Sequence, residues 1–201
     1  FALVLLSGAG KDLDLEHNPS VIDFFSSFDT KSHLTIITFL LIGTVITCIV
    51  QSSAAVMAIT ILLCSTGVLP IYLGIALVMG ENIGTTATAN LAALGANAQA
   101  RRAALAHLVF NVFGVIWVLC LFYPFVNLVC SLVGYNPDGN MSAAQKATLL
   151  PIVLAMFHTC FNVCNTAVLI WFIPQIEKLV CQLIKPKADK EDEDFRLRFI
   201  Q

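Results

Sequence analysis

Charge is what this sequence has least of. Only 12% of its 201 residues are Asp, Glu, Lys or Arg, against 58% hydrophobic. Between Lys31 and Glu81 there are none. No basic excess exists either, since the formal net charge is −2, and this argues against nucleic acid as a partner. The cysteines (Cys48, Cys64, Cys120, Cys130, Cys160, Cys164 and Cys181) form no CxxC pair and no metal-ligand spacing, so they read as small buried hydrophobes. A signal-peptide pattern is missing too. The chain opens on Phe1 rather than Met, which reads as a junction with something preceding it. With a mean hydropathy of +0.84, the composition is that of an integral membrane protein.

Within the uncharged stretch lie three adjacent polar residues, Gln51, Ser52 and Ser53. The apolar run around them, Leu34 to Leu63, is too long for one span of about 20 residues and too short for two. Split at 51–53, each arm is roughly 15 residues, or about 23 Å of helix. Two short arms meeting at a polar tip predict a re-entrant hairpin over 34–67. Irregular backbone at that depth must line protein or a cavity. Ser52 or Ser53 is a good N-cap for the second arm, and free N–H groups at a helix start favour an anion. The competing reading is a polar turn whose serines bond back to their own helix.

The segment 70–97 is long enough to span, yet its centre reads Gly80-Glu81-Asn82-Ile83-Gly84-Thr85-Thr86-Ala87-Thr88. Glycines and unpartnered polar groups there predict a discontinuous helix broken near Gly80–Gly84, its second half starting at Thr85 or Thr86. Hairpin tips and broken helices build midplane sites in secondary transporters. The competing reading is a kinked structural helix whose threonines bond back to carbonyls.

Residues 101–174 supply two full spans, Ala103–Phe122 and Thr148–Ile173, joined by an outer loop over 124–147. That loop contains Asn140-Met141-Ser142, a glycosylation acceptor pattern only in a secretory pathway. His107 and Asn111 on the first span, and His158 and Asn162 on the second, share one spacing and predict interhelical hydrogen bonds. Phe1–Ser7 reads as the end of an apolar helix, and 1–33 as a partial helix followed by an interfacial segment with a short helix near Val21–Phe28. Residues 175–201 read as a charged soluble linker. Arg101, Arg102 and the basic residues after 175 place those segments in the cytoplasm, with 124–147 outside. The C-terminus is then cytoplasmic in a multi-pass plasma membrane protein, and a bacterial inner membrane fits best.

Gln51-Ser52-Ser53, then Gly80 to Thr88, then His107-Leu-Val-Phe110-Asn111-Val-Phe-Gly114 resemble, in order and spacing, the type II sodium/phosphate cotransporters and their bacterial homologues. The likeness covers about Ile36 to Val118 and continues more loosely to Ile173. It implies an all-α membrane protein built as one of two inverted repeats, here the second, with the partner repeat upstream or in another copy. Phosphate is then implied at Gln51, Ser52, Ser53, Thr85 and Thr86, and sodium at Gln51, Ser53, Asn82, Thr85, Thr86 and Thr88. Glu81 is a candidate coupling carboxylate. Ala54 stands where the family has a third serine, which removes one hydroxyl from the tip. The linker resembles the entry to a cytoplasmic domain like the phosphate regulator PhoU.

The expected function is sodium-coupled phosphate symport, with sodium as coupling ion, no other cofactor and no metal beyond sodium. Bound sodium offsets the cost of carrying an anion into the membrane interior. The alternative is a non-transporting phosphate-sensing or assembly subunit. An intramembrane enzyme with a serine nucleophile has no placeable Ser-His or Ser-Lys pair, so no enzyme is expected.

Overall fold

The computed structural model describes residues 19–185, and among these there is no strand. Pro19 starts α1 (Pro19–Ser26), where a missing N–H costs nothing. This is the short helix that the sequence predicts. The Phe28 ring just beyond it stacks edge-on against Phe39 at 5.1 Å, so the segment packs beneath the next helix. Phe1–Ser7 and residues 186–201, including most of the expected charged linker, lie outside the described residues.

α2 (His33–Val50) and α3 (Ser53–Ser65) form the two arms. The chain turns at Gln51, which is left-handed (φ 55°) and donates its N–H to the Thr47 carbonyl at 2.8 Å. Ser52 is extended and its hydroxyl accepts from the Ala55 N–H at 3.3 Å. A second turn at Gly67 (φ +79°) leads through Pro70 into α4 (Ile71–Ala92).

Direction follows from contacts. Gly43 lies against Leu77, Gly80 against Leu40 and Thr44, and Gly84 against Thr44 and Thr47. Those numbers climb together, so α2 runs parallel to α4. Cys64 lies against Gly74 and Thr60 beside Glu81, numbers that run in opposite senses, so α3 is antiparallel to α4. The two arms are therefore antiparallel to each other and form a hairpin. They are unequal. α2 has 18 residues and is long and apolar enough to cross a membrane, whereas α3 has 13.

The expected break in 70–97 is absent. α4 is one continuous helix of 22 residues, followed by a 3-10 turn at Ala93–Gly95. Its glycines mark close approach of α2 rather than a weak point: a Cβ on Gly80 would collide with the Leu40 carbonyl oxygen, and one on Gly84 would lie 2.7 Å from that of Thr44. Its threonines bond back to the helix, Thr85 to the Glu81 carbonyl at 2.8 Å and Thr88 to that of Thr85 at 2.9 Å. Hydroxyls satisfied in this way leave no backbone group needing a break. No second helix start exists at Thr85 or Thr86.

α5 (Ala98–Cys120) begins at Asn97, whose side chain accepts from the Ala100 N–H at 2.9 Å. Arg101 and Arg102 are thus in its first turns rather than in a loop. Much of the expected outer loop is also helical. α6 (Phe122–Val133) buries Phe122, Val126, Val129 and Cys130 and ends at Gly134 (φ 78°). Pro124 sits in its first turn, where proline is tolerated. α7 (Ala143–Leu169) starts with a capping box between Ser142 and Gln145. A 3-10 turn at Ile170–Phe172 carries it into α8 (Ile173–Leu183), so the expected soluble linker is helical as far as Leu183. Helices α2 and α5, and the run Ala143–Leu183, are long and apolar enough to span a membrane. α4 is the hub, packed against α2, α3, α5 and α7.

Candidate functional site

At the hairpin tip the end of one helix meets the start of another. α2 closes at Gln51 with its last carbonyls directed at the turn, and α3 opens at Ser53 with its first N–H groups directed back at it. The Ala55 and Val56 N–H groups are taken by the Ser52 hydroxyl and carbonyl. The N–H groups of Ser53 and Ala54, and the side chains of Gln51 and Ser53, have no hydrogen-bond partner among the described residues. Gln51 is exposed and Ser52 and Ser53 are half-buried. The partial positive end of α3 and the partial negative end of α2 therefore lie side by side. An anion suits the first and a cation the second.

The parallel register of α2 and α4 brings this tip beside the C-terminal half of α4. Cys48, one turn before the tip, faces the Gly84 carbonyl at 3.7 Å. At about 100° per residue, the helical wheel sorts the expected ligands. Gly80 and Gly84 face α2, and Glu81 faces α3. Thr85 and Thr88 fall on that same hairpin-facing side. Asn82 and Thr86 are turned away from it. Thr86 is fully buried and its hydroxyl donates to the Ile83 carbonyl at 2.8 Å. The register thus sets Gln51, Ser52 and Ser53 level with the C-terminal half of α4, with Thr85 and Thr88 on the side of that helix that turns to the hairpin and Asn82 and Thr86 on its far side.

Two buried polar atoms have no partner among the described residues, Thr47 Oγ1 and Asn82 Nδ2. Thr47 is 1% exposed and sits one turn below Gln51 against Gly84. It is not among the residues that the sequence motifs point to. The signal was its spacing from Thr44, whose hydroxyl reaches the Gly80 carbonyl at 3.1 Å across the interface.

The expected bonds between α5 and α7 are not made by the residues named for them. Asn111 donates to His107 of its own helix at 3.2 Å, and Asn162 to His158 of its own at 2.8 Å. A side chain long enough to reach its own i−4 carbonyl satisfies itself locally. The interhelical bond comes from Asn165. Its amide donates to the Phe110 carbonyl at 2.8 Å and accepts from the Trp117 indole at 3.3 Å. Gly114 opens the space for it. Among the described residues no group of three or more His, Cys, Asp or Glu is placed to hold a metal ion.

The sequence profile of the Na+/Pi-cotransporter family matches residues 26–134. The chain is 36% identical over 118 residues to the uncharacterized protein YqeW of Bacillus subtilis, covering 58% of this chain and 37% of that protein. It is 30% identical over 158 residues to the putative inorganic phosphate export protein YjbB of Escherichia coli, covering 79% and 26%. Against the human sodium-dependent phosphate transport protein 2B it is 40% identical over 111 residues, covering 53% and 16%. The chain thus spans well under half the length of each of these relatives. No solved structure gives a significant match.

Proposed function

The chain belongs to the Na+/Pi-cotransporter family, and we propose that it carries one of the two repeats of a sodium-coupled phosphate symporter. One observation carries this reading: the unpartnered amides of Ser53 and Ala54 beside the carbonyl end of α2. Phosphate oxygens accept from those amides and from the hydroxyls of Ser52 and Ser53, with the Gln51 amide closing over them. Sodium takes the other pole, from the carbonyls ending α2 and the oxygens of Gln51, Ser53, Thr85 and Thr88. Asn82 and Thr86 join only if α4 turns relative to the hairpin. The paired charges lower the cost of bringing phosphate away from water. A partner repeat completes the site.

The orientation is supported by Arg102, whose Nε donates to the Ile184 carbonyl at 3.0 Å. The start of α5 and the end of α8 are thus on one side, together with Arg101, Lys178 and Lys185, and that side is cytoplasmic by the positive-inside rule.

The test is uptake of radioactive phosphate by proteoliposomes holding the full-length protein, with and without an inward sodium gradient. Sodium-driven uptake is expected. Ser53→Ala is expected to lower it about tenfold, the cost of one hydrogen bond to a charged group. Uptake indifferent to sodium overturns the coupling. Phosphate binding without flux favours a sensing subunit.

A further inference from the structure

Between α5 and α8 lies a cavity of about 730 Å³, whose walls are residues of these two helices. That is the size of a ligand site. Ala103, Ala106 and Phe110 line it from α5, and Ile173, Ile176 and Val180 from α8. Each set is spaced by three or four residues, so each forms one stripe along its helix. The two alanines make the room, because longer side chains there would fill it. Ala103 and Ile173 are exposed, so the groove opens sideways. Trp171, just before the Ile173 end, is 79% exposed, and tryptophan in such a place marks a membrane–water boundary. The groove therefore lies on a face that meets lipid.

Its length and charge narrow the occupant. From Phe110 to Arg102 the groove follows α5 for about 12 Å, close to half of a hydrocarbon core roughly 30 Å thick. A lipid tail of one leaflet has that reach. The polar lining is Gln99 and Arg102 in the first turns of α5, with Glu177 across from them on α8. Arg102 gives its Nε to the Ile184 carbonyl, which leaves both Nη groups without a partner among the described residues. Glu177 has no ion pair among them either. An arginine and a glutamate thus line one cavity and do not bridge to each other. A simple anion would be drawn by one and repelled by the other. A group carrying both charges answers both.

We propose that this groove holds a phospholipid with an ethanolamine headgroup. Its phosphate accepts from the Arg102 Nη groups and the Gln99 amide, the geometry in which arginine binds phosphate best. Its ammonium donates to the Glu177 carboxylate. One acyl chain lies along the apolar stripes toward Phe110. Pockets between membrane helices at the cytoplasmic surface commonly take headgroups in this way. The lipid fills the gap between α5 and α8 and ties them together, so the seating of α8 depends on it. The site does not depend on the symport reading; only the choice of the cytoplasmic leaflet rests on the orientation given there.

The test is native mass spectrometry of the full-length protein in detergent, with phosphatidylethanolamine or phosphatidylglycerol added. Wild type is expected to retain one phosphatidylethanolamine in preference to phosphatidylglycerol. Arg102→Gln is expected to weaken that lipid about tenfold, for hydrogen bonds to a charged group lost. Glu177→Gln is expected to abolish the preference while phosphatidylglycerol still binds, and it decides the matter if the Arg102 variant does not fold. Ala106→Phe fills the groove without touching a charge and is expected to exclude both lipids. Equal binding of the two lipids by wild type overturns the headgroup assignment, as does a preference unchanged in Glu177→Gln. Lipid binding unchanged in Ala106→Phe overturns the groove. If wild type retains neither lipid, the groove is covered by the rest of the full-length chain and the proposal is wrong. Displacement of the lipid by excess inorganic phosphate makes the free anion the occupant, and also overturns it.

Discussion

A methyl group at position 80 has nowhere to go. It would meet the carbonyl oxygen of Leu40, which is held in a helix and cannot swing aside as a side chain would. Gly80→Ala is therefore expected to cost about 1–3 kcal/mol, as overpacking does, and to lower the melting midpoint in detergent. An unchanged midpoint would mean that α2 and α4 are not in this contact. The asparagines allow a matched comparison. Asn165 ties two helices together, whereas Asn162 bonds only within its own. Asn165→Ala should lower the melting midpoint clearly, by about 1 kcal/mol or more, and Asn162→Ala much less. Equal effects would refute the assignment of the interhelical bond.

Among the elements, the hairpin tip carries the backbone strain. Gln51 is the one non-glycine residue with positive φ among the described residues, a conformation that costs about 1 kcal/mol for a side chain with a Cβ. A glycine would hold the turn more cheaply. Gln51→Gly is expected to raise the melting midpoint while reducing sodium-driven phosphate uptake. A gain in both would show that the amide does not serve the site. α4 bears the opposite lesson. Two glycines, a carboxylate and several hydroxyls look like the makings of a break, yet the helix runs through them. The hydroxyls bond back to carbonyls, and α2 covers the glycines.

At the scale of the whole molecule, the outer side chains speak for lipid. Leu34, Leu41, Val45 and Ile49 of α2 are exposed by 74%, 56%, 56% and 76%. A stripe of that kind is not left to water. Orientation can be read directly. In a background lacking the other reactive cysteines, Asp138→Cys is expected to react with a membrane-impermeant maleimide on intact cells. Lys185→Cys is expected to react only after permeabilisation. The reverse pattern would turn the protein over in the membrane.

Local chemistry along the chain was enough to settle much of this protein. Uninterrupted apolar runs meant helices in a membrane. Gln51-Ser52-Ser53 meant a turn with a capped helix after it. Each of these depends on neighbours in sequence, or on solvent. Whether Gly80 and Gly84 break a helix or pack one, whether Asn162 or Asn165 reaches across, and which face of α4 meets the hairpin were decided only by tertiary contact. The reason is that a glycine or a polar side chain inside a membrane takes its role from what stands opposite it, and a partner 36 residues away, as Thr44 is from Gly80, leaves no mark in local spacing.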